Sequence, residues 1–543
     1  MTQAAPLSRF RAFLMTPGIL RSGGLAFLLG SVSVMAHAPF GLWPMMIFTL
    51  TALVWLLDGA FESERKYRSA AWRAWAFAFG YFFFGLYWVA YAFINRGPEF
   101  APMIPFAITL LPAGLALFWA LAGALAMRFW TRDVRRILVF GLAIFAAEYA
   151  RGHLFSGFPW NLPGLIWPAG GPVSQSAAWF GVYGLSFLTL TGFAAPAAMA
   201  GPDASPRLRS APLAVSFAVF AILFGMGLGR LARPVSDDAQ TVTVRVVEAG
   251  FGQRDKWDPA GRQAVIDRYA ALSGAGDLDS VDMVIWPEAA LPLPLLEDGA
   301  ALAQLGGALG GETWLGTGLY RRSPTPDGGT EYYNSFAVLG FSGDQAQLAA
   351  LYDKRLLVPF GEFTPGAAVL NRLGFRLPSA IASGMTPGPG PVTLDVAGVP
   401  PFAPLICYEI IFPGFTPDGE NRPSWILNVS NDAWFGPTPG PWQHLAQARF
   451  RAIEEGLPVI RAASGGVSGA IDARGRQVAA MPPYSSDYLD IQIPDPGYAT
   501  LYSRFGFLGV LALVLVALGA LALLARSGLT PAKTRVDNKK TSY

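Results

Sequence analysis

Long apolar runs without charge constrain this chain more than any other feature. Phe505 to Ala525 is 21 residues without a charged side chain, closed by Arg526. A helix needs about 20 apolar residues to cross the hydrocarbon core of a bilayer. Earlier in the chain, Ser22 to Leu57 is also uncharged and breaks at Pro39-Phe40-Gly41, which reads as two spans. Ala74–Asn95, Phe100–Met127, the run from Ile137, Ser176–Ala200 and Ala211–Gly229 follow. Glu148 and Arg151 interrupt the far end of the run from Ile137, where they can pair at i, i+3 or lie at the interface. This makes seven spans before residue 235 and an eighth at the end. Only 14% of residues are charged and 52% are hydrophobic, against about 25% charged in soluble domains. That excludes a purely soluble chain and a disordered one.

Charge divides along the same line. Residues 235–503 hold 29 acidic and 17 basic side chains, and the remainder holds 8 acidic and 23 basic. The basic part is also the apolar part, which points to a membrane and not to nucleic acid. Alternate loops carry basic residues unequally: 18 lie on one side, from Arg9 and Arg11 to Lys539 and Lys540, and 5 on the other (Arg96, Arg151, Arg230, Arg233, Arg504). The basic side faces the cytoplasm. The expected organisation is a membrane domain at 1–234, an extracytoplasmic domain at 235–503, an eighth span at 504–526 and a cytoplasmic basic tail at 527–543. Arg9 to Ala38 also has the form of a signal peptide ending at Ala36-His37-Ala38; an uncleaved span is the preferred reading.

Segment 235–503 reads as α/β. Short β-rich runs recur at Thr241–Val247, Val281–Trp286, Trp314–Leu319, Ser335–Leu339, Leu348–Tyr352, Pro404–Ile406, Trp425–Val429 and Val467–Ile471, with helices expected at Asp258–Ser273 and Gln443–Glu455. Several runs end in polar residues: Trp286-Pro287-Glu288, Asp353-Lys354 and Ile406-Cys407-Tyr408-Glu409. Strand ends of α/β sheets feed loops that carry chemistry.

Cys407 is the single cysteine and there are three histidines. Disulfides, zinc clusters and dithiol redox motifs are excluded, and the ordinary fate of a lone Cys is inert burial. A working thiol needs a base or a nearby cation. Glu288 can take the proton. Lys354 and the Tyr408 N–H can stabilise an oxyanion on an attacked acyl carbon. Taken singly, Glu288 and Lys354 read first as solvated surface charges, and Glu362 and Glu409 can be structural salt-bridge partners.

At these residues the sequence resembles the nitrilase (carbon–nitrogen hydrolase) superfamily. The matching stretches are Trp286-Pro287-Glu288, Tyr352-Asp353-Lys354-Arg355-Leu356-Leu357-Val358-Pro359-Phe360-Gly361-Glu362, Ile406-Cys407-Tyr408-Glu409 and Ser430-Asn431-Asp432-Ala433-Trp434-Phe435-Gly436. With its eight spans the whole chain is similar to that superfamily's membrane-bound apolipoprotein N-acyltransferase family. The resemblance implies an αββα sandwich inserted between helices seven and eight, outside the cytoplasm of a bacterial inner membrane. It implies Glu288 as general base, Lys354 as oxyanion stabiliser and Cys407 as nucleophile, supported by Glu362, Tyr408 and Glu409. Trp257, Trp434, Phe158 and Trp160 are implied in lipid binding or gating, with interfacial anchoring the plainer reading for Trp160. No metal and no cofactor are implied. The expected donor is a phospholipid such as phosphatidylethanolamine, the acceptor the amine of a diacylglyceryl apolipoprotein, and the enzyme a monomer. A membrane-tethered amidase and a non-catalytic lipid carrier or transporter are the alternatives.

Overall fold

The computed structural model describes all residues except 1–5, 16–17, 201–204, 234–241, 368–371, 373–383, 418 and 527–543. The expected basic tail and the boundary near residue 235 lie outside the described residues.

The first half is helical. Pro39 and Gly41 separate helix Ile19–Ser33 from helix Pro44–Phe61, as their helix-breaking character dictates. Pro44–Phe61 and Val173–Ala200 form the centre, about three quarters buried, while Pro206–Ala232 and Leu508–Arg526 lie at the rim, only 11% buried. A rim helix made of Leu, Val, Ala and Phe has no aqueous solution to its exposed face; lipid supplies one.

The helices depart from the expected spans in two places. Ala74–Asn95 is not one straight span: helix Lys66–Gly85 ends at Leu86, and helix Val89–Arg96 leaves at 46°. The Asn161 side chain donates to the Gly85 carbonyl (3.3 Å), taking an acceptor that a continuing helix would use. Among the described residues six helices are long and apolar enough to cross a membrane, or seven if that bent pair is one span. Arg135–His153 falls outside this set because it carries Arg135, Arg136, Glu148 and Arg151.

The second half contains two six-stranded sheets. The first has the order β12-β1-β2-β3-β4-β5, from β1 (Thr243–Ala249), β2 (Met283–Ile285), β3 (Trp314–Pro324), β4 (Thr330–Ser342), β5 (Gln345–Asp353) and β12 (Ser486–Gln492). The second has the order β11-β10-β9-β8-β7-β6, from β6 (Leu394–Val396), β7 (Val399–Ile406), β8 (Trp425–Asn431), β9 (Val459–Ser464), β10 (Ser468–Ile471) and β11 (Gln477–Met481). The parallel pairs β1–β2–β3 and β7–β8–β9 sit at the two centres.

Alternation builds the layers. Val244, Val246, Met283 and Ile285 from one sheet meet Phe402, Ile406, Leu427 and Ile460 from the other. The next residues along, Val247 and Val284, face helices Arg262–Ser273 and Gly299–Leu309. Leu405 and Ile426 face helix Gly440–Glu455 and belong to a core continuous with the membrane helices. The result is an α-β-β-α stack whose fourth layer rests on the apolar bundle. Helix Gly440–Glu455 starts cleanly because Pro441 occupies its first turn, where a missing N–H costs nothing. Short β6, β9, β11 and β12 were not foreseen; Val459–Ser464 hides a buried arginine, Arg461, in its middle.

Candidate active site

Glu288 follows β2, Lys354 follows β5 and Cys407 follows β7, and the two sheets bring these three ends together. Lys354 Nζ donates to Glu288 Oε1 (3.1 Å) and to Glu362 Oε1 (2.9 Å), and is 1% exposed. The Cys407 thiol lies close enough to Glu288 and Lys354 for both charges to act on it. Cys407 sits at φ +50° and Ala289, just after the acid, at φ +46°. Left-handed backbone costs a non-glycine residue of order 1 kcal/mol or more and persists where surrounding contacts hold it.

Asn334 on β4 was not foreseen. Its Nδ2 donates one hydrogen to Glu288 Oε1 and one to Glu362 Oε1, both at 2.7 Å. It thereby spaces two acids around one lysine. The Asn431 N–H donates to the other Glu288 oxygen (3.0 Å), and the Val358 N–H to the other Glu362 oxygen (2.8 Å).

Burial alone would raise the Glu288 pKa; the Lys354 charge, the Asn334 amide and the thiol outweigh it and hold Glu288 below the ordinary carboxylate value. Burial would depress Lys354, but Glu288, Glu362 and Cys407 keep it well above the usual ammonium value. The thiol is pushed up, first by burial and then by Glu288, against the pull of Lys354. The directions of these shifts favour a neutral thiol beside an ionised carboxylate.

Glu409 does not reach this cluster. Its carboxylate accepts from Tyr352 Oη (2.8 Å) and from the N–H groups of Arg355 (2.7 Å), Leu356 (3.1 Å) and Ile406 (2.8 Å). It ties the Lys354 loop to the Cys407 turn. Burial pushes its pKa up to about 7 against the pull of these donors. Tyr408 points toward the membrane half: its Oη donates to the Gly157 carbonyl (2.7 Å). Gly157 holds φ +69°, and a Cβ there would stand 2.4 Å from the Gly152 carbonyl oxygen, so only glycine fits.

The four aromatic residues divide. Trp257 (39% exposed) and Trp434 line a cavity of about 660 Å³ together with Asn95–Glu99, Gln253 and Arg254. Trp160 is 2% exposed and is no interfacial anchor. Its indole donates to Gln443 Oε1 (2.7 Å) and packs against Trp88, Phe435 and His444, with Phe158 stacked beside it. His444 was also not foreseen. Its Nε2 lies 3.2 Å from the Cys407 carbonyl, and its Nδ1 2.8 Å from Asp432, which Arg461 grips at 2.6 Å. The His444 ring thus bridges the Cys407 backbone and the Asp432 carboxylate.

Comparison with known proteins agrees with this division of the chain. Residues 29–195 match the apolipoprotein N-acyltransferase N-terminal domain, and residues 247–499 the carbon-nitrogen hydrolase family. An apolipoprotein N-acyltransferase of Rhodopseudomonas palustris is 38% identical over 535 residues, covering 97% of this chain and 99% of its own. That of Caulobacter vibrioides is 38% identical over 538 residues, covering 95% and 96%. Among solved structures, a Nesterenkonia amidase from the nitrilase superfamily is 16% identical, covers 51% of this chain and 98% of its own, and has a TM-score of 0.34.

Proposed function

This chain belongs to the apolipoprotein N-acyltransferase family, and from that premise we propose that Cys407, Glu288 and Lys354 carry an acyl group from a phospholipid to the N-terminal amine of a diacylglyceryl lipoprotein. That it is an acyltransferase of lipoprotein maturation follows from the family. The steps are our reading. Glu288 takes the Cys407 proton as sulfur attacks the ester carbonyl, and Lys354 with the Tyr408 N–H receives the oxyanion. The carbon–oxygen bond breaks, Glu288 returns the proton to the leaving lysophospholipid, and a thioester remains. The lipoprotein amine then attacks the thioester, its proton passes through Glu288, and the thiol is restored with the amide product. One site visited twice gives ping-pong kinetics. Glu362 holds Lys354, and Tyr408 and Glu409 hold the turn that carries the nucleophile.

The observation that carries this reading is the meeting of thiol, acid and lysine where the α/β domain rests on the apolar helices. A donor that never leaves the bilayer can then reach the sulfur. Phosphatidylethanolamine is the donor class we favour. Counting Arg135–His153 and joining the bent pair makes eight spans. The basic loop residues then put both termini in the cytoplasm and the catalytic domain on the far face of the inner membrane, in an enzyme acting as a monomer. Intact mass after incubation with phosphatidylethanolamine vesicles tests the mechanism. A fatty-acyl increment localised to Cys407, cleared by hydroxylamine and absent in Cys407→Ala, is the expected result. An increment that persists in Cys407→Ala overturns it.

A further inference from the structure

Lys256 is a second buried lysine beside the site, and no step above uses it. It is 1% exposed and ends the one-turn helix Gln253–Lys256. Its Nζ donates to the Ala289 carbonyl (3.0 Å), the left-handed residue that follows Glu288. The other end of the same turn is held by Asn431, whose Nδ2 donates to Gln253 Oε1 (2.9 Å) and whose own N–H binds Glu288. The turn is thus fastened on both sides of the general base. Its next residue, Trp257, walls the cavity. Glu248 on β1 is 1% exposed and one of its oxygens, Oε2, has no hydrogen-bond partner. Burial pushes Glu248 up to about 7, offset in part by Lys256; burial pushes Lys256 down to about 8, offset in part by Glu248 and Glu288. A buried cation persists where opposite charge faces it, and here both acids do.

We propose that Lys256 is a positioning residue of the acyl transfer: it fixes the Ala289 carbonyl and so aims Glu288 at the thiol, and it couples the wall of the lipid cavity to the base. The inference rests on the proposed roles of Glu288 and Cys407. A surface lysine in this place would do none of this, because only a buried donor can hold a strained carbonyl against relaxation. Misplacing a base by about 1 Å costs up to about 100-fold in rate.

The lone cysteine allows a test that does not depend on the substrate. Iodoacetamide alkylation of the full-length enzyme in detergent reads Cys407 directly, and acylation by phosphatidylethanolamine vesicles is run beside it. Lys256→Met is expected to slow both by about tenfold or more at saturating lipid with KM little changed. It should also move the acid limb of the alkylation profile to higher pH, since Glu288 loses one of the cations that face it. The other groups facing Glu288 are Lys354, Cys407, Tyr320 and the Asn334 amide with Glu362 beyond it, and these remain. Lys256→Arg is expected to recover most of the loss. If Lys256→Met does not fold, Glu248→Gln decides: a fall of about threefold or more at an unchanged Tm supports the proposal, and no fall overturns it. Wild-type rates in Lys256→Met, or a loss confined to KM, also overturn it. A wild-type enzyme that alkylates but never acylates instead overturns the proposed function.

Discussion

Two loops border the site, one from each half of the molecule, and they are fastened in different ways. The loop from the helical half, 153–161, is clamped by charge. Arg151 pairs with Glu148 at 2.5 Å with neither side chain exposed, and Arg151 also donates to the Phe158 carbonyl. Trp119 donates to Glu148 (2.7 Å), and Tyr408 closes the loop on the catalytic side. The loop from the catalytic half, 253–257, has Gln253 and Lys256 as its buried anchors and leaves Trp257 exposed at its end. The first loop is a wall pinned by buried charge, and the second a wall that ends in a half-exposed tryptophan.

Breaking the clamp should have the largest effect. Arg151→Leu strands Glu148 inside the bundle, and removing one partner of a buried pair costs about 3–5 kcal/mol. Thermal unfolding in detergent should show the drop, and activity should fall with it. Tyr408→Phe removes one hydrogen bond and leaves the buried Gly157 carbonyl unpaired, for about 1–3 kcal/mol; the acylation rate should fall more than the Tm suggests, because the turn carrying Cys407 loosens. Trp257→Ala on the second wall should leave Tm unchanged and raise the KM for phospholipid by about threefold to tenfold. If it lowers Tm as Arg151→Leu does, the contrast between the two walls fails.

The smallest effect concerns acid. Glu288 is held below its unfolded value by Lys354 and Asn334 despite burial. Its contribution to stability is therefore present above the ordinary carboxylate pKa of about 4.3 and is lost as pH falls through the folded value. Glu288→Gln should be less stable than wild type near neutrality and lose less stability below about pH 4. Urea midpoints across that range would show whether the two curves converge.

Much of this site could be read from strand ends. Glu288, Lys354 and Cys407 each close a β-run, where alternation stops and a polar residue stands out. Asn334 lies inside β4 and His444 inside a helix; neither breaks a pattern, and the site groups they hold, Glu288, Glu362 and the Cys407 carbonyl, are more than 25 residues away. Lys256 reads as a surface charge because only the folded chain puts Ala289 above it. The bend after Gly85 was hidden for the same reason: no proline marks it, and its cause, Asn161, is 76 residues downstream. The spans themselves were legible except where buried charge, at Glu148 and Arg151, lowers the apolar signal that marks a span.

The entry and exit strands of the catalytic domain are neighbours. β1 and β12 lie antiparallel, with Thr243 opposite Gln492 and Ala249 opposite Ser486. The chain arrives from helix Pro206–Ala232 and leaves toward helix Leu508–Arg526, so the two tethers emerge at one corner of one sheet. A load that separates those two helices is delivered to the end of this ladder, across its seven residue pairs in turn and not along all of them at once. Peeled this way, hydrogen bonds break singly, and the rest of the α-β-β-α stack feels little of the pull. Both tethers thus join the sheet at its β12 edge, on the side of β1 away from the strand that carries Glu288.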